Sequence, residues 1–111
     1  MDEQKLKEDL GALLWNDLKK AIAAECAKNN VKFIETDEDN ISLQGGKNGR
    51  EISLLVYDRT VPCVAFHTPK RRGVLDIGVR SDGASVEWLA HEEAHQPGDI
   101  AINFVRGLSG S

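Results

Sequence analysis

Ile52-Ser53-Leu54-Leu55-Val56-Tyr57 is the densest apolar run outside the N-terminal helical pattern, and it is rich in strand-favouring residues. Side chains of an extended chain alternate between two faces, so Ile52, Leu54 and Val56 point one way and Ser53, Leu55 and Tyr57 the other. Both faces of a central strand therefore carry apolar surface. The rest of the chain reads as strands beside this one and helices over it.

Upstream, Leu6, Leu10, Leu14, Leu18, Ala21 and Ile22 return every three or four residues between Glu3 and Lys28, with Leu13 and Trp15 on the flanks of the stripe. That spacing predicts one long amphipathic helix. Asp2 is its expected N-cap, Glu3 and Lys28 complement the two ends of its dipole, and Asn29-Asn30 is its stop. Val31 to Thr36 and Ile41 to Gln44 read as strands on either side of the polar turn Asp37-Glu38-Asp39-Asn40. That turn lacks the spaced oxygen ligands and the glycine of a calcium loop. Gly45-Gly46-Lys47-Asn48-Gly49 then supplies the hairpin turn into the central strand.

Downstream, Pro62 cannot donate to a ladder, so the next strand is expected to begin near Cys63 and run to His67. Thr68 to Gly73 reads as a turn, and Val74 to Arg80 as a strand with Leu75, Ile77 and Val79 on one face. Asp82-Gly83 sits between two alternating runs, which favours a strand over Ala84 to Ala90 rather than a helix. His91 to Gln96 is left as a connector. Pro97, Asp99 and the stripe Ile100, Phe104, Val105 and Leu108 predict a second helix. The expected architecture is a two-layer α+β domain: a long N-terminal helix, an antiparallel sheet of about six strands, and a C-terminal helix, with both helices on one face of the sheet.

A chain of 111 residues without a composition shift or low-complexity tract reads as a single domain. It can bury an ordinary core without a metal or disulfide staple. A net charge of -4 argues against a general role on nucleic acid, and no run approaches the length of a membrane span. The polar start Met1 to Lys5 is unlike an export signal, so the expected location is the cytoplasm, with Cys26 and Cys63 as reduced thiols.

Three groups of residues are candidates for chemistry. The string His91-Glu92-Glu93-Ala94-His95 fits H-E-x-x-H, in which a helix sets two histidines on one face to bind zinc beside a glutamate base. By these five residues it resembles the zincin metallopeptidases, and the resemblance implies zinc held by His91 and His95 with Glu92 as general base. A third ligand is required. The acidic side chain after His95 is Asp99, beyond Pro97-Gly98, while His67 and Asp76 lie upstream. Lys70, Arg71 and Arg72 form a basic loop that suits an anion or nucleic-acid contact, although a solvated hairpin tip is the favoured account of it. Leu55 and Tyr57, joined by Leu89, fall on the sheet face that the helices leave open and suit a protein partner or a dimer seam. Cys63 reads as a buried thiol rather than a nucleophile, and His67 as a strand-end residue.

The favoured reading is a small non-enzymatic cytosolic domain that binds a protein or dimerises, ahead of a zinc hydrolase or peptidase and of an anion-binding module. It predicts that protein prepared without chelator carries no stoichiometric zinc and that His91→Ala with His95→Ala leaves the fold intact. Near one zinc per chain, lost in that double variant together with a peptide hydrolysis that Glu92→Gln abolishes, would reverse the order.

Overall fold

The computed structural model describes residues 3–45, 50–58, 61, 63–70, 72–90 and 93–109. The expected cap Asp2, the turn residues Gly46 to Gly49, and Pro62, Arg71, His91 and Glu92 lie outside the described residues. The chain runs α1 (Glu3–Lys28), β1 (Lys32–Asp37), β2 (Asn40–Gly45), β3 (Arg50–Asp58), β4 (Cys63–His67), β5 (Arg72–Val79), β6 (Val86–Ala90), β7 (Glu93–His95) and α2 (Pro97–Ser109). The strands pair in sequence order as one antiparallel sheet of seven, one more than the sequence suggests. β5 divides its hydrogen bonds: Arg72–Leu75 pair with β4, and Asp76–Val79 pair with β6.

The extra strand is β7, inside the expected connector. Ala90 pairs directly with Glu93, Leu89 with Ala94 and Trp88 with His95. Glu, Ala and His are weak strand formers, but the free edge of β6 offers unpaired backbone groups that a returning chain satisfies. The same force extends β5 back into the expected turn, since His67 and Phe66 pair with Arg72 and Gly73.

Alternation sorts the sheet as the central stretch predicts. Ile52, Leu54 and Val56 are buried, with Ile41 and Leu43 from β2, Val64 and Phe66 from β4, Leu75 and Ile77 from β5, and Val86 and Trp88 from β6. Both helices cover this one face. α1 touches β1, β5 and β6, α2 touches β2 and β3, and the helices lie against each other.

Along α1 the buried line is Gly11, Trp15, Leu18, Ile22 and Cys26. Trp15 is thus at the centre of the stripe, not its flank, and Leu13 is exposed. The turn between β1 and β2 decides this. Trp15 Nε1 donates to the Glu38 carbonyl at 2.8 Å, and Lys19 Nζ, 5.5 Å from the Trp15 ring centroid, reaches the same carbonyl at 3.1 Å and Glu35 Oε2 at 2.8 Å. An indole with an acceptor for its N–H is the group best suited to the middle of such a contact. Asn30, at φ 55°, ends α1 in the left-handed conformation, and the Val31 N–H closes on the Cys26 carbonyl at 3.0 Å.

Side-chain bonds fix the turn between β5 and β6. Asp82 Oδ1 accepts from the backbone N–H groups of Ala84 (2.9 Å) and Ser85 (3.2 Å), and Gly83 takes φ 71°. The Ala84 N–H contributes most to holding the Asp82 carboxyl below its usual range.

α2 docks through an aromatic pair: Phe66 and Phe104 meet edge to face with centroids 5.2 Å apart. Phe66 lies directly over Gly73, its cross-strand neighbour, where a Cβ would enter the ring's van der Waals shell. Gly73→Ala therefore displaces the ring and disturbs the pair with Phe104, an overpacking cost of about 1–3 kcal/mol. Gly107→Ala, with open space at its Cβ, removes a helical glycine and stabilises by up to about 1 kcal/mol. Denaturant unfolding of both variants checks the contrast; equal midpoints would contradict it.

Candidate functional site

The sheet face away from the helices has three cross-strand rows over β3, β4 and β5. The middle row is Leu55, Ala65 and Val74, in direct register. On one side of it lie Ser53, His67 and Arg72. On the other, a bulge in β3 brings Tyr57 beside Cys63, and Cys63 beside Asp76. Leu55 is 42 % exposed, Tyr57 58 % and Val74 41 %. Three large apolar side chains at this exposure on β3 and β5, joined across β4 by Ala65, form a patch, whereas single exposed apolar residues are ordinary.

Leu55 and Tyr57 stand on this face as alternation predicts. Leu89 shares it but is half-buried, because it leans on Gly78, where a Cβ would meet its Cδ1. Val74 was missed, although the same alternation that turns Leu75, Ile77 and Val79 inward turns Val74 outward. Its importance comes from register, which places it two strands from Leu55 with only the small Ala65 between.

Cys63 is half-exposed, not buried. Alternation along β4 sets it on the outer face, since its neighbour Val64 and then Phe66 point into the core. Its thiol donates to Asp76 Oδ1 at 3.0 Å, and its sulfur contacts the Tyr57 hydroxyl at 2.7 Å. Neither group is a cation of the kind that stabilises a thiolate.

The basic loop is divided. Arg72 stands on the open face beside His67, whereas Lys70 lines a hollow of about 340 Å³ at the seam with α2, together with Arg50, Thr68 and Asn103 above Ile52 and Phe104. Two cations over an apolar floor suit an anion with an apolar body. Arg71 lies outside the described residues.

Of the histidine string, Glu93, Ala94 and His95 are extended, so the helical spacing of the zinc motif is not formed over them. His95 pairs with Trp88 on the helix-covered face and lines a hollow of about 200 Å³ with Glu93, Asn103 and Phe104. His67 and Asp76 stand on the opposite face, which separates them from His95. Asp99 is exposed in the first turn of α2. No three His, Cys, Asp or Glu side chains converge on a metal position among the described residues, and His91 and Glu92 lie outside them.

No described helix is long and apolar enough to cross a membrane. The chain matches no protein-family model, no curated protein and no solved structure.

Cys26 is 1 % exposed, and burial, with a smaller contribution from Glu25, raises its thiol from 9.0 to about 11. Because the folded value is the higher one, the unfolded chain ionises first. Stability is unaffected by this group below pH 9.0 and falls as pH rises from 9.0 toward about 11. Cys26→Ala should flatten that alkaline loss. In dilute native protein near neutral pH, a thiol reagent should label Cys63 at once and Cys26 only on unfolding; simultaneous labelling would contradict the burial of Cys26.

Proposed function

We propose that this chain is a small non-enzymatic protein-binding domain of the cytosol, and that the open face of its sheet is the binding surface. The observation that carries the reading is the Leu55–Ala65–Val74 row with Tyr57 beside it, exposed on a sheet whose other face is covered by both helices. Burying such a row against a partner contributes roughly 25 cal/mol for each Å² of apolar surface removed from water. The surrounding hydroxyl, imidazole, guanidinium and carboxylate groups form the polar rim common to interfaces that also exist in the free state.

Other features support the same reading. The net charge of -4 disfavours nucleic acid as the partner. Two free cysteines suit a reducing compartment.

Leu55→Asp with Tyr57→Ser tests the surface. Both side chains are exposed, so the unfolding midpoint should move little, within the ±0.5 kcal/mol usual for surface changes. Proteins that cross-link to the wild-type chain, a second copy included, should be lost from the double variant. Partners that remain bound to it would place the binding surface elsewhere.

A further inference from the structure

We propose that the occupant of the open face is a second copy of this chain, packed face to face about a two-fold axis that runs along the row Leu55–Ala65–Val74. This rests on the reading of the open face as a binding surface and names its partner. The argument is the arrangement of charge about that row.

On β5, Arg72 and Asp76 flank Val74 at two residues on either side, all three on the open face. A two-fold axis along the row exchanges the two flanking rows while keeping each strand opposite its own copy. It sets Arg72 over the second copy's Asp76 and Asp76 over its Arg72. It also sets His67 over the second copy's Cys63, and Ser53 over its Tyr57, while Leu55, Ala65 and Val74 each meet themselves. Each Arg72 guanidinium then faces a carboxylate, and the apolar row closes on itself.

A two-fold axis along β4 instead exchanges β3 with β5. It sets Arg72 over the second copy's Ser53, Asp76 over its Tyr57 and His67 over its own copy. That arrangement leaves both charges without an opposite one, so charge favours the axis along the row over the axis along β4. Sheets packed in this way lie about 10 Å apart and within about 30° of parallel, a separation that Arg and Asp side chains span.

Edge-to-edge association is disfavoured. β1 exposes Lys32, Glu35 and Asp37, and β7 is three residues long, the two devices by which edge strands resist pairing. A seven-stranded face averaging about six residues per strand has a flat extent of about 670 Å², less than the roughly 800 Å² each partner buries in a standard interface. An interface of this extent belongs to the smaller class in which weak, reversible association is common.

The test is sedimentation equilibrium of the full chain from low to high micromolar concentration, with circular dichroism confirming that each variant is folded. The wild type should show a reversible monomer–dimer equilibrium. Arg72→Asp alone and Asp76→Arg alone each turn two attractive pairs into repulsive ones and should weaken association by at least about tenfold. The chain carrying both changes regains complementary pairs and should dimerise again, as should an equimolar mixture of the two single variants. A wild type that stays monomeric throughout overturns the second copy as occupant, even where Leu55→Asp with Tyr57→Ser releases a foreign partner, which separates this failure from failure of the surface itself. A dimer indifferent to both single charge reversals, or one that neither the double change nor the mixture restores, overturns the proposed axis.

Discussion

A sheet has two faces, and this chain has helices for one. Pairing seven strands satisfies the backbone, but it creates a broad surface on which every second side chain is apolar, and that surface must leave water for the domain to be stable. Both helices are used on it, and they also close against each other. Ile52, Leu54 and Val56 lie in the core because of this arrangement. Leu55 and Tyr57 remain in solvent for the same reason: one-residue alternation leaves them no helix to meet.

The two layers are tied together unevenly. At the β1–β2 turn, α1 is held by bonds to one carbonyl, Glu38, from the Trp15 indole and the Lys19 ammonium, with an ion pair from Lys19 to Glu35. Farther along the sheet Trp88 is fully buried, and its indole N–H has no partner among the described residues. Leaving such a donor unpaired costs about 1–3 kcal/mol, which the apolar body of the side chain must offset through packing. The two tryptophans thus do different work: one fixes where the helix lies, and the other fills space beneath it.

Much of this was legible in the sequence because the relevant rules are local. Alternation assigned the core of β3 and β5, Asp82-Gly83 marked the β5–β6 turn, and Pro97 with the Ile100–Leu108 stripe marked α2. β7 was not legible, since Glu93, Ala94 and His95 acquire strand geometry only from the edge of β6. Trp15 was placed on a flank because helical spacing defines a stripe but not which part of it meets the sheet; the Glu38 carbonyl, distant in sequence, decides that. For the candidate site, alternation found Leu55 and Tyr57. Cys63 was legible by the same rule, since Val64 and Phe66 point inward; alternation could not show that Leu89 folds down onto Gly78, that a bulge in β3 brings Tyr57 beside Cys63, or that Arg72 parts from Lys70. Each of those depends on register between strands, which composition does not encode.

The connectivity of α1 has a consequence for synthesis. Every strand neighbours the next in sequence, so the sheet can assemble through short loop closures as it emerges. α1 is made before any strand, yet it rests on β5 and β6 as well as β1. At about 5–20 residues per second, the ribosome takes on the order of 3–12 s to go from Lys28 to Ala90. Through that interval Trp15, Leu18 and Ile22 have only part of their eventual cover. The apolar positions of this 26-residue segment therefore emerge well before the strands that later cover them, which leaves it open to chaperone capture during translation.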